Sequence, residues 1–436
     1  MQQRPVHTLA LVLAAVLLIS ACSAATGSAL SARSSAAIAG TAPAAGAPIR
    51  IGAVFPVSSN ASPLADEEAL GVAIAAQLVN ADGGVHGRPI DLDLRDLAAA
   101  TDAPGVVAGL RAIGDRIVIG AYFSELSIAA ARAASDAGLV YWEAGAVADR
   151  LTGEGLPLVF RVGANGALLG SNSARFAAAQ LAPRLGRTAR SLRIAIVAAD
   201  DDYARSVADA AQAVARAYGE AVTRTDYRLA APDWPAVITS VRAAAPDVLI
   251  LAAHIPDGEA FRRAMLAAHL RVGALIGSTM AQCMTDFGAD LGTAAIGVFA
   301  SDRPTGGFDP AALTPATRAL YDRFATAWRQ RTGDAEPDEE GLSGFSAAWA
   351  LFHDVLPAAG GDLTPASVVL AARSVNLPVG SLPNGAGLRF ATSGPQIGQN
   401  LSAAAVIWQW QAIRRSVVVW PATFSTGAIR LVPLPS

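Results

Sequence analysis

Short apolar runs alternate with stretches of helical apolar spacing from Ile49 onward, and this alternation constrains the fold more than any other feature of the chain. Ile49 to Phe55, Ile90 to Leu94, Ile117 to Ile119 and Leu139 to Trp142 have the length and composition of buried strands. Between them, Leu64 to Asn80, Pro104 to Ile113 and Ser127 to Ala137 space their apolar residues as helices do. A strand that is apolar on both faces needs cover on both, and a strand-helix-strand rhythm supplies it as a parallel sheet between helical layers. A second series follows, with strands at Arg193 to Ala198, Ala221 to Tyr227, Val248 to Ala253, Ala274 to Gly277 and Gly297 to Ala300. Its helices are Asn165 to Ala182, Tyr203 to Tyr218, Trp234 to Ala245 and Gly258 to His269. The expected fold class is therefore α/β, with two Rossmann-like lobes. After Pro310 the pattern is helical over Leu313 to Thr332, Asp338 to Leu356 and Pro365 to Ser374, and it returns to strands at Ala404 to Gln411 and Ser416 to Trp420. Late helices need a sheet to cover and late strands need an edge to join, so the chain is expected to cross between lobes more than once. Two facing sheets with their strand ends together enclose a ligand crevice.

The first 48 residues have a different character. Arg4 precedes an apolar run from Leu9 to Ile19, about half the length of a bilayer-spanning helix, and Ser20-Ala21-Cys22 follows. This is the pattern of a lipoprotein signal peptide over 1–21, with Cys22 taking the lipid. Residues 22–48 are rich in Ala, Ser, Gly and Thr with one charge, Arg33, and read as a flexible tether. The expected location is extracytoplasmic, lipid-anchored to the cell membrane.

Composition removes several chemistries. The 436 residues contain no lysine, which excludes a Walker-type phosphate loop and a Schiff-base amine. A net charge of -3 without a basic block leaves no footprint for nucleic acid. The two cysteines, Cys22 and Cys283, and five scattered histidines show no metal-ligand spacing, so neither a metal nor a cofactor is expected. Gly341-Leu342-Ser343-Gly344-Phe345 lacks the last glycine of a nucleophile elbow. The adjacent acids Glu67-Glu68 and Glu339-Glu340 point to different sides of their helices, which argues against paired acid/base work. No catalysis is expected.

Ile51-Gly52-Ala53-Val54-Phe55-Pro56, the Gly83-Gly84-Val85-His86-Gly87-Arg88 turn, Gly120 with Ser124, Phe160-Arg161, Asp202-Tyr203 and Val417-Val418-Val419-Trp420-Pro421 occur in a familiar order. In that order the chain resembles the solute receptors of branched-chain amino acid ABC importers, the type I periplasmic binding proteins of the Leu/Ile/Val-binding sort, over about residues 50 to 421. The resemblance implies two lobes joined by three crossover segments, 49–160 with 301–385 and 161–300 with 386–436. It also implies a monomer that captures a small solute by hinge closure and delivers it to ABC permease subunits; a receptor of the same fold that signals without transport is the alternative.

Site residues follow from the same resemblance. Ser124, with Tyr122 and Phe123 beside it, matches the position that holds a ligand carboxylate, and a helix N-terminus there favours an anion. The loop Glu143, Ala144, Gly145, Ala146 and Val147 matches a second carboxylate-contacting segment, with a hydroxyl of the family's pattern missing. Tyr203, His254 and Thr279 match the second lobe's contacts, Thr279 standing where the family has an ammonium-binding acid. A buried ammonium without an anionic partner is disfavoured, so the expected ligand departs from an ordinary α-amino acid, with Glu143 or Asp200 to Asp202 as possible stand-ins.

Overall fold

A computed structural model describes residues 46–58, 62–278, 285–304 and 307–435. The signal peptide, Cys22 and most of the tether, together with Thr279, lie outside the described residues.

The first sheet has the order β2-β1-β3-β4-β5 and is parallel throughout. It is built from β1 (Ile49–Phe55), α1 (Ser62–Ala81), β2 (Ile90–Asp96), α2 (Ala103–Ala112), β3 (Ile117–Gly120), α3 (Ser124–Asp136), β4 (Val140–Glu143), the single turn α4 (Arg150–Gly153) and β5 (Val159–Arg161). Strand alternation divides the core: Ile51, Ala53 and Phe55 point into one apolar cluster, Val54 into another that α2 and α3 cover.

The second sheet has the order β12-β11-β10-β9-β8-β6-β7. The chain enters this half along α5 (Gly166–Phe176), a π-helical turn and α6 (Ala182–Arg184). It then alternates β6 (Arg193–Ala199), α7 (Asp202–Ala217), β7 (Ala221–Tyr227), α8 (Trp234–Ala244), β8 (Val248–Ala252), α9 (Ile255–Ala267), β9 (Ala274–Ser278), α10 (Thr285–Leu291) and β10 (Phe299–Asp302). Three further helices, α11 (Pro315–Thr332), α12 (Glu339–Trp349) and α13 (Pro365–Ser374), return to the first lobe's core, where Phe324, Phe345 and Val368 join Ile51 and Trp142. The tail hairpin β11 (Val406–Ala412) and β12 (Arg415–Trp420) closes the edge beyond β10. It runs antiparallel, so the second sheet is mixed rather than wholly parallel.

Three crossings run between the lobes, two of them joined by backbone and side-chain hydrogen bonds. Arg161 N–H donates to Gly398 O and Asn400 N–H to Arg161 O, so the segments after β5 and before β11 run side by side. The buried Arg161 guanidinium donates to Gln399 Oε1 at 2.6 Å, Ala148 O at 2.6 Å and Thr152 Oγ1 at 3.2 Å. Burial pulls its pKa down to about 10. The third crossing starts at Arg303, directly after β10. This is the expected type I periplasmic binding protein architecture.

Several elements depart from expectation: α4 and α10 were not among the expected helices, and the helix expected over Asn165 to Ala182 turns π-helical after Phe176. β5 has only three residues, too few for periodicity to register. The helix expected over Asp338 to Leu356 stays α-helical to Trp349 and continues as a π-helical turn over Ala350–Val355. The helix expected from Leu313 starts at Pro315, where Thr314 accepts the N–H of Thr317 as its cap. No helix among the described residues is long and apolar enough to cross a membrane.

Candidate functional site

Strand ends from both sheets converge on a cavity of about 770 Å³. The first sheet supplies Pro56 after β1, Ala98 after β2, Tyr122, Phe123 and Ser124 after β3, and Val147 and Arg150 after β4. The second supplies Asp200 to Tyr203 and Arg205 after β6, Leu229 after β7, His254 after β8 and Arg303 after β10. These are all carboxyl ends, the side on which an open α/β sheet offers its crevice.

On the first wall, Ser124 opens α3, and its Oγ accepts the N–H of Ala148 at 3.1 Å, tying the helix start to the loop after β4. Tyr122 adopts φ 76, and its ring meets Phe123 edge-on at 4.7 Å. The Tyr122 hydroxyl donates to Glu340 Oε1 at 3.2 Å; burial, followed by the charge of Glu340, pushes the phenol well above its usual range.

The loop after β4 turns its acid inward. Glu143 is fully buried, accepting the N–H groups of Gly145 at 2.9 Å and Ala146 at 2.8 Å and the Tyr141 hydroxyl at 2.9 Å. Burial raises its pKa even against these donors. Its carboxylate therefore serves the loop rather than the cavity, and of Glu143, Ala144, Gly145, Ala146 and Val147 only Val147 lines the space. Tyr141 and Trp142 are likewise core residues, Trp142 donating to Ala347 O at 2.9 Å.

On the second wall, Asp201 caps α7 by accepting the Ala204 N–H at 2.7 Å and holds His254 Nε2 at 3.1 Å. Asp257 accepts the His254 backbone N–H at 3.1 Å. Burial opposes charging of His254, but the hydrogen bond and charge of Asp201 outweigh it, and the imidazole pKa is raised. Tyr203 lies edge-on to His254 at 5.0 Å and donates to Ser278 O at 2.7 Å.

Arginines link the walls. Arg150 reaches Asp202 Oδ2 at 2.9 Å and Glu154 Oε1 at 2.9 Å, and Asp149 N–H donates to Ser206 Oγ at 3.0 Å. Arg303, at the cavity floor, donates to Glu339 Oε1 through Nε at 2.7 Å and to Gly145 O through Nη1 at 2.8 Å. Sequence reasoning did not mark Arg150, Arg205 or Arg303; the Asp302-Arg303 pair at the end of a buried strand was the available signal.

The cavity thus brings together Tyr122, Phe123, Ser124, Val147, Tyr203 and His254 of the expected residues. Glu143 to Ala146 stand behind its wall. The N-termini of α3, α7 and α9 begin at or beside Ser124, Asp202 and His254; Asp201 already caps α7 and Asp257 the start of α9, and α3 is the one of the three without a side-chain cap. Such a site suits an anionic, partly apolar solute.

Comparisons with known proteins bear on the family and the fold. Residues 48–407 match the family model described as periplasmic binding protein. The chain is 28% identical over 387 residues to the Leu/Ile/Val-binding protein homolog 8 of Brucella abortus, covering 88% of this chain and 93% of that one. Its fold is similar to a leucine binding protein from Thermotoga maritima, with TM-score 0.70 and 18% identity over 85% of this chain and 98% of that one. It is also similar to an ABC transporter solute binding protein from Rhodopseudomonas palustris in complex with 3,4-dihydroxybenzoic acid, with TM-score 0.65 and 17% identity over 83% and 93%. Two α/β lobes, three crossings and a cleft between strand ends are accounted for together: this chain belongs to the periplasmic binding protein family.

Proposed function

We propose that the protein is the solute-binding receptor of an ABC importer, anchored outside the cytoplasm through a lipid on Cys22, and that its ligand is a small amphipathic carboxylate without an amine. It breaks no bond. The observation that carries this reading is the cavity shared by both sheets, with Ser124 and the start of α3 on one side and Tyr203 and His254 on the other. Only a closed state lets one solute touch both sets, so binding and closure are coupled and the permease meets a distinct shape.

The ligand class rests on how the cavity's acids are used. Asp201 is held by His254 and the Ala204 N–H, Asp202 by Arg150, and Asp200 Oδ1 by the Leu229 N–H at 2.9 Å. An ammonium at Asp200, Asp201 or Asp202 would have to displace a partner that is already in place, which leaves Glu125 as the one lining acid open to it, whereas a carboxylate meets the N-terminus of α3, which no side chain caps. Pro56, Phe123, Leu126 and Leu229 supply apolar walls for its other end. The Brucella and Thermotoga relatives carry branched-chain amino acid names and the Rhodopseudomonas one a benzoic acid, so both classes belong in the test.

Matched probes decide it by isothermal titration: leucine against 4-methylpentanoate, and phenylalanine against 3-phenylpropanoate. The acids are expected to bind at least about tenfold more tightly, and Ser124→Ala to lose about tenfold, one charge-assisted hydrogen bond. Tighter binding of the amino acids removes the ligand class while leaving the receptor reading intact. Failure of every solute in a broad metabolite screen removes the receptor reading itself.

A further inference from the structure

We infer that the structure carries a calcium-type divalent cation site where α1 meets the start of α12, formed by Glu67, Asp338 and Glu340. Each offers a carboxylate oxygen, and these oxygens lie within 4.8 Å of one another, the span across a calcium ion coordinated at about 2.4 Å. Glu67 lies far in sequence from Asp338 and Glu340, so no spacing announces the trio; close packing of α1 on α12 creates the cluster.

A second observation points to an occupant. Glu340 is fully buried; one of its oxygens takes the Tyr122 hydroxyl, and Oε2 has no hydrogen-bond donor. A dehydrated carboxylate oxygen without a donor is strongly unfavourable unless a positive charge or a proton meets it. Arg303, the guanidinium buried nearby, is engaged by Glu339 and Gly145 O. The carboxyl groups of Glu67 and Asp338 lie within hydrogen-bonding reach of each other, a contact that one shared proton or one cation can satisfy. A third oxygen donor favours the cation.

The chemistry selects the ion. All three donors are carboxylates, which suit a hard cation and not zinc or copper. Glu67 and Asp338 are half-buried, so the ion has a path from solvent and room to keep water ligands. Asp338 also accepts the Gly341 N–H as the cap of α12. The helix terminus contributes about half a positive charge against the cation, which three carboxylates outweigh. The bound ion would fasten α1 to α12 and, through Glu340, fix the Tyr122 side chain that lines the ligand cavity.

Trp328 supplies the readout, because its ring packs against Gly341, next to Glu340. Terbium, a calcium mimic, added to the chelator-treated protein is expected to give saturable Trp-sensitised emission with one ion per chain, reversed by excess calcium. Calcium is expected to raise the melting temperature by several degrees, and Glu67→Gln and Glu340→Gln each to weaken terbium binding at least tenfold. Glu67→Gln lies at the half-buried edge and keeps the measurement possible if the buried variant fails to fold. Absence of saturable emission, or emission unchanged in Glu67→Gln, overturns the site; so does a melting temperature indifferent to calcium and raised by Glu340→Gln, the signature of a cluster neutralised by protons.

Discussion

At the residue scale, the site works through groups fixed before any ligand arrives. His254 is the clearest case, with Nε2 on Asp201 and its backbone N–H on Asp257. Its folded-state pKa is raised, so the stability it contributes is fully present below the unfolded value of about 6.5 and is lost as pH rises through the folded one. Burial opposes ionisation of Asp201, but His254 brings its pKa down overall, and that contribution is lost only in acid, as pH falls through the lowered value. The pair is therefore strongest between the two, and a melting curve series should show stability falling from about pH 6.5 upward more steeply in the native protein than in His254→Gln. Equal slopes would remove the pair from the account.

Position after a strand made half of this cavity's lining legible. Ser124, Tyr203 and His254 follow β3, β6 and β8, and strand ends are where a doubly wound sheet gathers its ligand contacts. Glu143 follows β4 in the same way, yet two backbone N–H groups of its own short loop fold back on it, a local geometry that residue type does not encode. Arg150, Arg205 and Arg303 went unmarked because an arginine's reach is set by partners distant in sequence, as Arg303 with Gly145 shows.

At the element scale, continuous apolar runs marked the central strands, because β6 and β8 are buried along nearly their whole length and tolerate little else. β5 was hidden by its shortness, and the tail hairpin's antiparallel direction depends on the edge it joins rather than on its own sequence. Helix α1 meets α12 closely enough that glycine is required at the contact. A Cβ on Gly71 would lie 2.1 Å from Gly341 O, and one on Gly344 would lie 2.1 Å from Glu68 O. Gly71→Ala is expected to destabilise by about 2 kcal/mol through overpacking, despite alanine's better helix propensity. Urea unfolding measures it, and an unchanged or raised midpoint would contradict the close helix contact.

At the scale of the whole molecule, three crossings join two lobes whose cores form two clusters, the first of which also takes in Ala300, Val406, Trp408 and Val418 from the second sheet. The Arg150–Asp202 pair spans the cleft, but its side chains keep 47% and 35% of their exposure, and pairs of this kind contribute about 1 kcal/mol or less. With the Asp149 N–H to Ser206 Oγ bond it makes a weak link across the cleft, and under the proposed function the larger share of closure comes from a solute that touches Ser124 and Val147 on one side and Tyr203 and His254 on the other. Two of the crossings are tied together by Arg161, Gln399 and Asn400, whose side chains bond from one to the other.

Small-angle scattering of the purified protein, with and without the tightest ligand from the titration series, tests this coupling most directly. The account predicts a smaller radius of gyration at saturation, with the same change reached in a Ser124→Ala protein only at about tenfold higher ligand concentration. Tight binding with an unaltered scattering curve would contradict it.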